Sequence, residues 1–190
     1  MKVIAFDRVY GSVAVQPPAL ELMADSALVL PGKPLFLPDF DSDWICRAYL
    51  SVRISRLGKN IAQKFAGRYY DAVGVALRVL PVNVCRELGE AHRSCGVAGL
   101  FDGALALGKW IEVSESGVRD LDIEVMGQSV TIAGADKIIA ESVAAVSAYA
   151  TIKMGDVIMP CCMPASMAVA EGSLIDASVN GDAVMALRIK

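Results

Sequence analysis

The sequence predicts an α+β domain made mostly of strands. Three observations carry this. Many apolar runs are of strand length. Turn residues such as Asn180-Gly181 separate them. Helical spacing recurs only in a few segments, with no regular strand–helix–strand alternation. At 190 residues, 55% apolar and 21% charged, the chain is large enough for one well-buried core and too apolar to be disordered.

Taken in order, Lys2–Phe6 reads as a short strand. Pro17–Ala24 reads as a helix, with Pro17 and Pro18 near its start. Ala27–Leu30 is a brief strand, and Leu35–Leu37 ends another before Pro38. Asp39, Asp41 and Asp43 have the spacing of calcium ligands, but the glycine and closing Glu of a calcium loop are absent, so this is a polar loop. Cys46–Ile54 alternates: Cys46, Ala48, Leu50, Val52 and Ile54 are apolar, while Arg47, Tyr49, Ser51 and Arg53 are polar or amphipathic. That is a strand with one face on a core. After Gly58, Asn60 is read as the N-cap of a helix whose stripe runs through Ile61, Phe65, Tyr69 and Val73. Val75–Leu80 is an apolar strand interrupted by Arg78, and a buried arginine needs a partner because an unpaired charge is costly there. Carboxylates such as Asp102 or Glu87 are the expected partners of Arg47 and Arg78.

Cys85–Arg93 is a short predicted helix. His92, the one histidine, has no nucleophile or metal cluster beside it and reads as a surface residue. Ala104–Val113 is a strand bent at Gly108. Leu121–Val125 and Ser129–Ile132 form a hairpin about Gly127. Asp136 caps a helix over Lys137–Ala150. Val157–Met159 is a strand, and Leu174–Val179 with Ala183–Ile189 forms a hairpin about Asn180-Gly181.

Several function classes are disfavoured. The net charge of −3 and the lack of a basic, aromatic-rich stripe argue against nucleic acid; Arg53, Arg56, Lys59 and Lys64 read as a solvated strand end and helix face. The longest uncharged run, Val157–Ala170, is short and broken by proline, and Asp7 interrupts the N-terminal apolar run too early for a signal peptide. A soluble, cytoplasmic protein is expected. The five cysteines, Cys46, Cys85, Cys95, Cys161 and Cys162, lack zinc spacing and are read as reduced, buried thiols. Neither a dinucleotide fingerprint nor a Ser-His-Asp set can be assembled.

Four segments, Leu57–Val75, Pro31–Phe40, Phe101–Ile111 and Thr151–Ile158, resemble the fumarylacetoacetate hydrolase family in its order. The similarity is to its branch of acylpyruvate hydrolases, hydroxyheptadienedioate isomerases and oxaloacetate decarboxylases. The resemblance implies a mixed β-roll of the fumarylacetoacetase C-terminal-domain type. It would be a single domain over 1–190, with an N-terminal segment and reduced lid in 1–40 and the roll in 41–190. It also implies a homodimer. Family members hold Mg or Mn with a Glu-x-Glu and a later Asp, helped by a Lys. Those positions fall here on Arg47, Tyr49, Arg78 and Gly99. The acid–base His and Glu fall on Val13 and Gln16, while Arg8 and Tyr10 of the same motif are kept. The late Gly-Thr-Pro loop falls near Cys161-Cys162-Met163, with Pro164 at its proline.

Exchanging three carboxylates for Arg, Tyr and Arg turns a site of charge minus three into one of plus two. A divalent ion about 5 Å from one guanidinium is repelled by about 7 kcal/mol at an effective dielectric of about 20. The expectation is therefore a relative without metal or cofactor, either non-catalytic or holding a small carboxylate or phosphate anion on Arg47, Tyr49 and Arg78. The alternative is an active metal-dependent hydrolase, isomerase or decarboxylase of short 2-oxo acids, with Asp102, Glu87 and Glu90 as replacement ligands.

Overall fold

The computed structural model describes residues 1–13, 17–113 and 117–190. Its two longest strands, β4 (Trp44–Ile54) and β5 (Tyr70–Pro81), run antiparallel and form the spine of the molecule. The remaining elements are β1 (Val3–Phe6), β2 (Leu20–Met23), β3 (Leu28–Val29), α1 (Val82–Glu90), β6 (Leu105–Leu107), β7 (Ile111–Glu112), β8 (Leu121–Val125), β9 (Gln128–Ile132), α2 (Ala135–Tyr149), β10 (Val157–Met159), β11 (Cys162–Val169), β12 (Leu174–Val179) and β13 (Asp182–Arg188).

The larger sheet runs β2-β1-β10-β4-β5-β6-β3, with β11 also on β4 and β7 also on β5. Among the described strands, β1–β10 and β3–β6 are the parallel pairs. A second sheet runs β13-β12-β8-β9. The domain is thus α+β and mostly strand, a curled β-roll.

The alternation in β4 positions its core face. Cys46, Ala48, Leu50, Val52 and Ile54 meet Val73, Val75, Leu77 and Val79 of β5, then Ile139, Val143 and Val146 of α2 and the inner residues of the second sheet. The opposite face is also covered. Tyr49 and Ala76 pack there with Val3, Ala5, Met23, Leu105 and Cys162 in a smaller apolar layer. Sequence alternation marks one face as buried; the structure buries both.

Several expected elements differ. Residues 17–24 contain the strand β2, not a helix: the two prolines precede an extended Leu-Glu-Leu-Met segment that pairs with β1. The helical stripe from Ile61 becomes a short 3₁₀ turn, Gln63–Arg68, with Phe65 exposed, and β5 starts at Tyr70, inside the expected helix. Asn60 is left-handed at φ 51° and caps nothing. α2 begins two residues earlier than Asp136 suggested, after left-handed Gly134. β11, absent from the sequence reading, lies between Pro160 and Val169.

The acidic loop is a helix cap. Asp41 accepts hydrogen bonds from Val84 N–H at 3.0 Å and from the Asn83 amide at 2.8 Å, both in the first turn of α1. Arg53 is no solvated cation: it pairs with Asp71 at 2.7 Å and Glu112 at 2.8 Å. The reading of all five cysteines as thiols is also corrected. Left-handed His92 turns the chain back after α1, bringing Cys85 and Cys95 to a Cα separation of 5.1 Å, and they form a disulfide. Cys46, Cys161 and Cys162 are free and buried. Among the described residues, no helix is long and apolar enough to cross a membrane.

Candidate functional site

Arg47 and Arg78 are register partners across the β4–β5 ladder, so their side chains leave the sheet side by side. Tyr49, two residues along β4, projects from the same face. Its neighbours are Ala76 on β5 and Cys162 on β11. The three positions carried over from the family's carboxylates are therefore brought together.

Arg78 is nearly enclosed, with its side chain 8% exposed, and its charge partner is Glu21 of β2, whose side chain is 43% exposed. This replaces Asp102 and Glu87, the partners expected from the sequence; both are exposed and make no ion pair with Arg78 among the described residues. The Arg78–Glu21 contact joins Nη1 to Oε2 without hydrogen-bond geometry. Arg78 Nε and Glu21 Oε2 are both buried and make no hydrogen bond, and neither does the buried Ser51 Oγ on the same face. Arg47 is half-buried and pairs with no carboxylate among the described residues.

Burial pushes the Tyr49 phenol above its ordinary value, and Cys162 adds to that against the opposing pull of Arg78 and Arg47. Burial likewise raises the Cys162 thiol. At neutral pH Tyr49 is therefore a neutral O–H donor and Cys162 an uncharged thiol. Two guanidinium charges less one carboxylate leave the layer at plus one.

These residues do not fit a divalent cation. Guanidinium offers no lone pair, and the Tyr49 oxygen stays protonated. The one carboxylate paired into the layer is held by Arg78. At Gly99, where the resemblance places a lysine, an added Cβ would lie 3.2 Å from the Leu22 carbonyl, because the turn meets β2 backbone to backbone. Glu87, Glu90 and Asp102 are exposed. No group of three His, Cys, Asp or Glu side chains converges among the described residues.

The N-terminal motif lies beside this layer. Tyr10 N–H donates to Cys162 O, and Cys162 N–H donates to Arg8 O, at 2.8 and 2.9 Å. The Arg8 guanidinium donates to Pro160 O at 3.0 Å and Ser142 Oγ at 3.3 Å, while Tyr10 Oη accepts the Ala133 N–H at 2.9 Å. Arg8 thus ties the segment to α2 through Ser142, and Tyr10 ties it to the turn before α2 at Ala133. A cavity of about 290 Å³ opens there, lined by Asp7, Arg8, Val13, Gln63, Glu141 and Ser142. Val13, at the family histidine's position, is exposed. Gln16 lies outside the described residues.

Glu21 was missed in the sequence because its partner is 57 residues away. The available signal was Leu20-Glu21-Leu22, a period-two pattern that places one carboxylate on a strand face.

No family model matches the sequence, and no curated protein matches it. Solved structures do match in shape. Fumarylpyruvate hydrolase from Pseudomonas aeruginosa, in complex with Mn²⁺ and pyruvate, superposes with a TM-score of 0.85 at 19% identity, over 100% of this chain and 89% of that one. A Yersinia pestis CO92 protein assigned to the fumarylacetoacetate hydrolase family gives 0.84 at 22% identity, over 100% and 93%. 5-Carboxymethyl-2-hydroxymuconate delta-isomerase from Mycobacterium smegmatis gives 0.82 at 22%, over 99% and 78%. The chain has the fold of the fumarylacetoacetate hydrolase family.

Proposed function

We propose that this chain is a divergent homologue of the fumarylacetoacetate hydrolase family that has given up the metal-dependent chemistry of 2-oxo acids. The observation that carries this reading is the side-by-side placement of Arg47 and Arg78 across one ladder, with buried Tyr49 on the same face. Two cationic groups occupy the positions where the resemblance places metal-binding carboxylates, and Mg²⁺ or Mn²⁺ requires oxygen donors. Val13 removes the histidine of the acid–base pair as well. Isothermal titration with Mn²⁺ and Mg²⁺, beside an acylpyruvate hydrolysis assay, tests this. No binding heat at millimolar metal and no turnover are expected. Metal-dependent turnover would restore the alternative, an active hydrolase, isomerase or decarboxylase.

A specific observation favours a second role for the same layer, the binding of a small anion. Arg78 keeps a buried N–H without an acceptor, Arg47 has no counter-charge among the described residues, and neutral Tyr49 supplies a further donor. Guanidinium groups in such a setting suit a carboxylate or phosphate. Losing affinity for pyruvate, acetate or phosphate on Arg78→Met would support the site; no anion binding by the unaltered protein would dismiss it. Pairing into a homodimer is proposed from the resemblance and from exposed Leu22 and Leu100, which flank the β2–Gly99 contact. Sedimentation equilibrium at two protein concentrations measures it, and a monomer at both would refute it.

A further inference from the structure

We propose that Glu21 is a built-in occupant of the arginine layer, and that a small monocarboxylate replaces it on Arg78. This rests on the anion-binding reading above and specifies both the ligand's charge and the side chain that moves. The charge balance selects the class. In displacing Glu21, one singly charged carboxylate takes the place of another, so the layer of Arg47 and Arg78 keeps its net charge of plus one.

The unfilled donor selects the geometry. Arg78 meets Glu21 through Nη1 alone, and its Nε–H is buried without an acceptor. A planar carboxylate free to align can take two guanidinium N–H groups at once, which the side chain of Glu21, tethered to β2, does not do. Tyr49, kept neutral, presents a hydroxyl beside the same guanidinium.

The asymmetry of exposure selects the moving partner. Arg78 is 8% exposed and has nowhere to go, whereas Glu21 is 43% exposed and reaches water by rotating about its own side chain. The motion is that of the side chain, since Met23 of the same strand is buried. β2 has four residues, stands at the end of its sheet and pairs with β1 alone. Beyond that ladder, Ala24 N–H bonds Gly99 O at 2.9 Å, which leaves the strand pinned just past its end. Glu21 therefore competes with the ligand for the same nitrogen atoms, and removing its charge tightens binding.

The test titrates pyruvate into the full chain and into Glu21→Gln, Glu21→Asp and Arg78→Met by isothermal calorimetry, with circular dichroism to confirm folding. Glu21→Gln is expected to bind pyruvate at least tenfold more tightly than the unaltered chain, and Arg78→Met not at all. Glu21→Asp keeps the charge on a shorter arm and is expected to bind more tightly than the unaltered chain and less tightly than Glu21→Gln, which preserves the test should the glutamine variant not fold. Equal affinity for all Glu21 variants and the unaltered chain overturns the competing role while leaving the anion site standing. No binding by any variant overturns both, and leaves the proposed loss of metal chemistry to its own assay. Phosphate binding tighter than pyruvate overturns the assignment of the ligand's charge.

Discussion

Removing the Glu21 charge should destabilise the fold more than removing Arg78, although Arg78 is the more buried of the two. In Glu21→Gln, two guanidinium groups remain adjacent across the ladder with no counter-charge. At a separation of about 7 Å and an effective dielectric of about 20, their repulsion is about 2 kcal/mol. That repulsion is present with Glu21 in place as well, so the cost of the substitution is the lost attraction of the Glu21 carboxylate to the guanidinium groups, discounted because Glu21 is 43% exposed and partly screened. The expected cost is about 1–3 kcal/mol. Arg78→Met removes the repulsion along with the pair, places an apolar chain against Ala76, Leu105 and Met23, and frees Glu21 to turn into water. Its expected cost is below about 1 kcal/mol. The double variant should match Arg78→Met alone, giving a coupling equal in size to the Glu21→Gln cost, about 1–3 kcal/mol. Urea titrations followed by circular dichroism read these differences from the midpoints at constant slope. Additive effects within about 0.5 kcal/mol would mean that the pair carries no coupling, and the electrostatic account of the layer would fail.

Three further outcomes follow from the structure. Burial alone would raise the Asp156 carboxyl, but the Lys2 side chain and the N–H groups of Lys2 and Lys153 outweigh it and hold it below the usual range. Its stabilising effect is thus complete above the unfolded value of 3.8 and is lost as pH falls through the lower folded value. Melting curves from pH 6 to 3 should show an acid-side decline that Asp156→Asn flattens. Leu77→Ala should cost about 2–5 kcal/mol, read as a shift in urea midpoint, because Leu77 is fully enclosed in the spine. Reducing the Cys85–Cys95 bridge, which closes a loop of sequence separation 10, should cost about 2–3 kcal/mol; a melting temperature unchanged by dithiothreitol would contradict that.

The parts of the fold visible in the sequence are those set by short-range pattern. The alternation of Cys46–Ile54, the run at Val75–Leu80 and the turns at Gly127 and Asn180-Gly181 correspond to strands and hairpins. Where two short-range signals conflict, the pattern misleads. Ile61, Phe65 and Tyr69 have helical spacing, yet Tyr69 and Ile61 close on Gly58, where a Cβ would lie only 2.5 and 2.6 Å from them, and the chain makes a 3₁₀ turn instead. Pro17-Pro18 resembles a helix start, but the strand β1 takes the following residues as its partner. β11 was hidden by Pro160 before it, Pro164 within it and by Cys and Met, which have no strong strand preference. In the candidate layer, Arg47, Tyr49 and Arg78 could be named because they break an apolar pattern. Glu21 could not, since its contact depends on how β2 is placed against the rest of the sheet, and the Cys85–Cys95 bridge depends likewise on the backward turn at His92.

The joining of Arg78 to Glu21 also limits how this chain can change. Reversing the sign at residue 78 alone would press a new acid against the old one. Reversing it at residue 21 alone would gather three bases on one sheet face. Either single step loses stability before any cation-binding pocket is complete, so such a pocket is reached only through paired replacements. Glu21 thus restrains change at this face, and a library in which residues 21, 47 and 78 vary together is where a cation-binding variant would be found.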